Sequence, residues 1–558
     1  MEITVIDYII NRLADLGIEH AFGVPGDYSF PIDDAIEVSD RMTWVVCANE
    51  LNAAYAADGY ARRRGAALLT TTYGVGELSA INGVMGAKAH RVPIFHVVGA
   101  PSTRIQKQRL ITHHSLGDGE YGNFFDVSAA CCGVSAKITP DNVVMEMERV
   151  ICEAFRLSQP AYIQVPEDFA RMPVQGTPVK GHRLPNVFRG KSNPSEVDAA
   201  VRAVLGRLEK AHRPIVMPSF QVKRYHAQEA LLSFLERTGL PFTLTAMDKG
   251  LVDETHPQYL GLFAGDASAP ASVGPAVASS DLVLCLGDLI EEDFNIGSWS
   301  GIVAPERKVV IASDHVRVGE AIFTSCLLPD VLQGLARASA KTKTLSLTPL
   351  KGIPLVGKDS DPISSAAFYP RLQRFLEDGD NFIVEGGSCM FPCASLALPK
   401  GVSYEGQILW ASIGWATPAT LGVALAEPHR RTILVSGDGA HQLTANELGV
   451  MGRYGINPII ILLNNGIYGV EDVLSERGHV YDNIAKWNYH TLPVAMGCKD
   501  WFCTRVETVG ELDVALKKAR THKVGSYIEL MIPEAESQPL AGNAIETIYK
   551  SHTPILDS

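Results

Sequence analysis

No two cysteines stand at Cys-x-x-Cys spacing, although the chain has 10 of them among 558 residues. Cys131 and Cys132 are adjacent, and Cys389 and Cys393 lie four apart. That pattern offers neither paired zinc-ligand spacing nor a redox dithiol. The cysteines are expected to be small buried hydrophobes kept as thiols in a reducing compartment. No apolar run approaches the ~20 residues a membrane span needs. No basic run with interleaved aromatics occurs, and a formal charge of -13 with a pI near 5.7 excludes a general nucleic-acid binder. Residues 1–7 show no basic segment leading into an apolar block, so no secretory signal is expected and the reading is cytoplasmic. Short-period repeats and low-complexity tracts are missing as well.

What is present is an ordinary globular composition, 46% hydrophobic and 20% charged. A chain this long exceeds what one core can serve. A helical period runs over residues 3–16, with Gly17 to stop it, and a second helix is expected over 49–63. Between and beyond them come short apolar strands at 19–23, 44–47, 66–71, 93–98 and 161–165. Strands alternating with helices predict a parallel sheet covered on both faces. Residues 174–194 read as a linker rich in Pro, Gly, Lys and Asn. The alternation resumes with a helix over 196–208 and strands at 214–218 and 282–286, then a second linker over 338–361. The last third repeats it, with strands at 381–385, 432–436, 458–463 and 526–532 and a helix over 417–425. The fold class is therefore α/β. Three consecutive domains are expected, 1–180, 190–340 and 360–558, each with a mostly parallel central sheet flanked by helices.

The stretch from Gly437 to Asn465 organises the rest. A buried strand runs out into Gly437-Asp438-Gly439, and a helix is expected over 444–453. A second apolar strand then ends in Asn464-Asn465. In a parallel sheet both strand ends open on one side, so Asp438 and Asn465 can converge. A carboxylate and an amide oxygen are hard ligands suited to Mg2+ carrying a diphosphate. A lone Gly-Asp-Gly arises by chance in about one chain in four of this length. Indeed Gly117-Asp118-Gly119 is a second copy, with no strand before it and no amide pair after it. A triplet at a strand end, then 24 residues, then paired asparagines at another strand end is far more specific.

This combination resembles the thiamin diphosphate signature, and the chain is similar to the pyruvate and indolepyruvate decarboxylase branch of that family over nearly its whole length. The resemblance implies the cofactors thiamin diphosphate and Mg2+ and a homodimeric catalytic unit, commonly a homotetramer. Glu50 would serve as the activating carboxyl, in Ala48-Asn49-Glu50-Leu51-Asn52-Ala53. In an isolated sequence Glu50 is equally a helix-start glutamate favoured by the macrodipole. Ile413 takes the position of the wedge under the bent cofactor, with the Ala411 carbonyl accepting from its amino group. Asp438, Asn465 and the carbonyl of Ile467 match the metal ligands. Gly387, Ser388, Gly437, Gly439, Ala440 and Tyr468 complete the cofactor contacts. Two departures stand out: Gly466 sits one residue before the usual glycine of the metal loop, and Gly386 stands where a threonine is common.

Asp27, His113, His114 and Glu471 match the branch's four acid–base positions, each within its own motif. Met390, Val470 and Leu474 match substrate-facing positions. Val470 is one methylene smaller than the isoleucine typical of pyruvate-preferring members, and Met390 replaces a tryptophan. The reaction implied is non-oxidative decarboxylation of a 2-oxo acid to an aldehyde and CO2, with aromatic or branched acids favoured and pyruvate still within reach. The rivals are a carboligase of the acetolactate synthase type, a non-catalytic paralogue and a nicotinamide oxidoreductase. For the last, Gly74 and Gly76 follow a strand, but Ser79 replaces the third glycine of a dinucleotide loop.

Overall fold

The computed structural model describes residues 3–179, 181, 190–339, 353–475 and 478–533. Much of the two expected linkers, 182–189 and 340–352, lies outside the described residues. Three sheets follow one another along the chain. The first contains β1 (His20–Gly23), β2 (Thr43–Val46), β3 (Ala67–Thr72), β4 (Ile94–Ala100), β5 (Val134–Lys137) and β6 (Ala161–Pro166). All its pairings are parallel, in the order β2-β1-β3-β4-β6-β5. β3, β4 and β6 are buried at every position, as strands covered on both faces must be.

The middle sheet holds β7 (Pro214–Pro218), β8 (Phe242–Leu244), β9 (Tyr259–Leu262), β10 (Leu282–Leu286), β11 (Lys308–Ile311), β12 (Val316–Val318) and β13 (Ala321–Phe323). Its order is β13-β12-β11-β10-β7-β8-β9, with an antiparallel hairpin at the β13 edge. Gly319, at φ +59, supplies the left-handed turn between β12 and β13. The last sheet holds β14 (Asn381–Val384), β15 (Ser403–Gly406), β16 (Thr432–Gly437), β17 (Ile459–Asn464), β18 (Phe502–Val506) and β19 (Ser526–Met531). Its order, β15-β14-β16-β17-β19-β18, repeats the permutation of the first sheet. Among the described residues no helix is long and apolar enough to cross a membrane.

The first and last domains meet through two helices made of small residues. Helix Glu50–Arg64 crosses helix Ala416–Ala426 so closely that a Cβ on Gly422 would lie 1.9 Å from the Ala56 carbonyl oxygen. Only glycine permits that approach. The indole N–H of Trp415 donates to Asp58 at 2.7 Å, and Arg62 pairs with Asp58 at 3.0 Å while covering the Trp415 ring. These contacts fix the loop that precedes helix Ala416–Ala426, which carries Ala411 and Ile413.

The expected element bounds hold to within a few residues, with one correction. The helix expected over 444–453 starts at Glu447, and a separate short helix, Asp438–Gln442, begins at the aspartate itself. Gly437 is extended and caps it, so Asp438 sits in a helix's first turn, beside free backbone N–H groups.

Candidate active site

β16 and β17 lie side by side and parallel, with Gly437 opposite Leu463. Their carboxyl ends therefore deliver Asp438 and Asn465 to one place, and both line the same cleft. The Asp438 carboxylate accepts the N–H of Gly439 at 2.9 Å and that of Gly466 at 2.8 Å. Burial raises its carboxyl to about 6 against that backbone bonding. A cation would relieve the cost of that buried charge. Asn465 Oδ1 accepts the N–H of Ile467 at 3.3 Å, which folds the loop back upon itself.

The shifted glycine has a simple geometry. Gly466 takes the left-handed conformation, φ +76, and Ile467 is absent from the residues of positive φ, so an isoleucine fits there without strain. The loop is pinned from the far side by Tyr468, whose N–H donates to the Asp482 carbonyl at 2.8 Å. The Tyr468 ring lies against Gly439, where a Cβ would come within 2.5 Å of it.

The rest of the cleft suits a diphosphate and a bent ring system. Gly387, Ser388, Ile413, Gly437, Gly439, Ala440, Ile467 and Tyr468 all line it. Gly387 and Gly437 have open space where a Cβ would project. Ala411 holds φ +51, a strained conformation for alanine, maintained by a bond from its N–H to Gln407 and by Ser412 next to it. Ser412 in turn bonds Tyr55 at 2.6 Å and receives Asn82 at 3.0 Å, both from the first domain. Beneath the cleft, Glu385 accepts the N–H groups of Gly386 at 2.9 Å and Ala416 at 3.1 Å, and burial pushes its carboxyl up to about 7. Sequence reasoning missed Ser365, Tyr369, Cys389, Leu463 and Ile532 as lining residues. No spacing signal distinguishes them from core.

A second constellation lies at the carboxyl ends of the first sheet. His113 Nε2 and Asp27 Oδ2 are 2.6 Å apart, and the rings of His113 and His114 are 4.7 Å apart, edge to face. Tyr28 stacks on His113 at 5.0 Å, and His114 holds φ +59 with its Nδ1 buried and without a partner. Gly74 lies under this pair, where a Cβ would stand 2.5 Å from the His114 carbonyl oxygen. Its N–H is already taken by Glu77 at 2.9 Å. Glu50 opens its helix with Asn49 as the capping residue, and its carboxylate faces Gly76 of the same loop cluster. Glu50 is half-buried in the single chain.

The sequence-derived residues therefore fall into two groups. Glu50, Asp27, His113 and His114 gather at the tip of the first sheet. Asp438, Asn465, Ile467, Val470 and Glu471 gather at the tip of the last. Among the described residues, every side chain lining the second cleft comes from the last domain. Leu474, Val470 and Phe391 pack against Val473 beside this cleft. Met390 lies on the opposite side of Cys389, in a separate cavity.

Comparison with known proteins agrees with this layout. Family models match at residues 3–119 (thiamine pyrophosphate enzyme, N-terminal TPP binding domain), 201–336 (central domain) and 389–530 (C-terminal TPP binding domain). An alpha-keto-acid decarboxylase of Mycolicibacterium paratuberculosis is 36% identical over 538 residues, covering 96% of this chain and 94% of its own. One from Mycobacterium ulcerans is 35% identical over 550 residues, covering 98% and 96%. The solved structure of a Rhodococcus jostii thiamine diphosphate-dependent 4-hydroxybenzoylformate decarboxylase superposes with a TM-score of 0.79 over 95% of this chain and 99% of its own. At 19% identity that likeness speaks for the fold. Three matched domains, full-length relatives and two strand tips converging on one cleft place the chain in the family of thiamin diphosphate-dependent 2-oxo acid decarboxylases.

Proposed function

We propose that this decarboxylase acts on 2-oxo acids whose side chain is larger than a methyl group, aromatic or branched, such as indolepyruvate, phenylpyruvate or 2-oxoisovalerate. The observation that carries the proposal is a cavity of about 290 Å³ beyond Cys389. Its walls include Ala246, Leu262 and Phe294 from the middle domain and Met390, Phe391 and Ala394 from the last. Phe294 meets Phe391 edge to face at 5.7 Å, and Phe391 packs on Val473, as Val470 and Leu474 do beside the cleft. An apolar space joined to the cleft by one phenylalanine suits an aromatic or branched substituent. Val470 in place of isoleucine favours the same substrates by ~1–3 kcal/mol at most.

The site residues divide the work. Asp438, Asn465 and the Ile467 carbonyl would hold Mg2+, a hard cation matched by this oxygen set. Gly387, Ser388, Gly437, Gly439 and Ala440 would receive the diphosphate, with Ile413 as the wedge beneath the rings. Bound there, thiamin diphosphate supplies the electron sink for cleaving the bond to the carboxylate. Glu50 would exchange a proton with the aminopyrimidine from across a subunit interface. That reading accounts for its half-exposure and for a cleft lined by one domain. It requires at least a homodimer; a homotetramer as the fuller assembly and a cytoplasmic location are part of the same proposal. Glu471 would stand by the departing carboxylate, where Leu463, Ile467, Val470 and Ile532 keep water scarce. Asp27 and His114 would deliver the proton that completes the aldehyde and help expel it, with His113 tied to Asp27.

Aldehyde release measured with pyruvate, phenylpyruvate, indolepyruvate and 2-oxoisovalerate tests the proposal. Larger acids are expected to show the higher kcat/KM. A clear preference for pyruvate, or acetolactate-type products in place of free aldehyde, would overturn it.

A further inference from the structure

Helix Glu447–Arg453 begins a few residues after the Asp438 turn, yet its first residue is turned away from the cleft. Glu447 is fully buried in the contact between the first and last domains. Its Oε2 accepts the backbone N–H of Ala48 at 3.2 Å and the side-chain N–H of Asn52 at 2.8 Å. Asn52 also donates to Asn446 at 3.0 Å, and its own N–H is capped by Asn49 at 2.8 Å. At the far end of the same helix, the Tyr454 hydroxyl accepts the N–H of Val46 at 2.9 Å and donates to the Trp44 carbonyl at 3.1 Å. Residues 44–52, which end β2 and start the helix of Glu50, are thus gripped from the last domain at both ends.

A buried carboxyl is costly unless its oxygens are bonded, and beyond the two donors on Oε2 Glu447 has only the Cys47 thiol beside it. Core packing alone would be better served by leucine. What glutamate provides is an acceptor at the turn between β2 and the helix, the turn whose geometry aims Glu50. We propose that Glu447 is a positioning residue for Glu50, fixing the helix start through Ala48 and Asn52. The inference rests on the reading of Glu50 as the residue that bonds the aminopyrimidine.

The test uses the full-length protein and two readouts. In the cofactor-free protein, amide hydrogen exchange at residues 47–52 is expected to speed up by roughly tenfold or more in Glu447→Ala. With thiamin diphosphate and Mg2+ bound, exchange of the cofactor's C2 proton is expected to slow by roughly 10- to 100-fold, the scale of a small misplacement. Glu447→Gln can place its amide oxygen where Oε2 stood and is expected to retain both rates. Glu447→Asp, one methylene short, gives the second route should the alanine variant fail to fold, and is expected to behave as the alanine variant does. A fall in melting temperature with both exchange rates unchanged would overturn the proposal, as would equal damage from glutamine and alanine. Glu50→Gln serves as the control. If its C2 exchange is normal, the reading of Glu50 fails; if Glu50→Gln is slow and Glu447→Asp is normal, only the positioning role fails.

Discussion

Asp438 reaches across to Gly466, whose N–H it receives at 2.8 Å, so the residue at the tip of β16 shapes the loop at the tip of β17. The two ends of the signature are thus bonded to each other within one chain. Each oxygen of the Asp438 carboxylate takes one backbone N–H, Oδ1 from Gly439 and Oδ2 from Gly466, and keeps its remaining lone pair for a cation.

Asp438→Asn therefore is expected to lose the cation more than the fold. Calorimetric titration with thiamin diphosphate and Mg2+ should show affinity weakened by roughly 10- to 100-fold, the worth of a charge-assisted contact. The melting temperature of the cofactor-free protein should change little, because loss of a desolvated charge offsets the amide NH2 turned toward one of the two backbone donors.

His113→Phe keeps a flat ring to stack on Tyr28 but removes the partner of Asp27. The expected result is a kcat lower by about 10²–10⁴-fold, the usual weight of a positioned acid or base. Cofactor affinity should not change, since none of these residues lines the diphosphate cleft.

Lys249 and Glu254 form a buried pair at 2.7 Å, and both reach across to the segment after Met390, Lys249 to the Leu396 carbonyl and Glu254 to the Leu398 N–H. Lys249→Met leaves Glu254 buried and unpaired, a loss of about 3–5 kcal/mol. Denaturant unfolding should show it, and the double variant with Glu254→Gln should recover most of it. Because this pair ties the middle domain beside the second cavity, the single variant should also shift substrate preference.

Asp33 gives a pH test. Its carboxyl accepts from Ser29 within the loop that presents Asp27, and burial raises it from 3.8 to about 7. The folded form therefore holds this proton up to about pH 7, while the unfolded chain releases it near pH 4. Stability from the group is complete below pH 4 and lost as pH climbs through 7. Asp33→Asn has no proton to release, so its melting temperature should gain on the parent between pH 4 and 7 and match its slope below that window.

Much of this was legible in the chain itself. Continuous apolar runs, one ending in Gly437 and the other in Asn464-Asn465, marked β16 and β17, and the spacing of Asp438 to Asn465 survived folding because parallel neighbours align their tips. The left-handed Ala411 was not readable, because the neighbouring Ser412 is anchored by Tyr55 and Asn82, hundreds of residues away. Nor was the cavity between Phe294 and Met390, which exists only where two domains abut. The hairpin β12–β13 went unseen because three-residue strands carry too little pattern.

The central claim is that one working site needs the first domain of one subunit and the last domain of another. Glu50→Gln should be inactive alone, and Asp438→Asn nearly so at a cofactor concentration that just saturates the parent. Mixed under conditions that exchange subunits, they should regain about a quarter of the parental activity, because half the dimers pair unlike chains and each such dimer rebuilds one intact site. No recovery on mixing, with subunit exchange verified, would contradict the account.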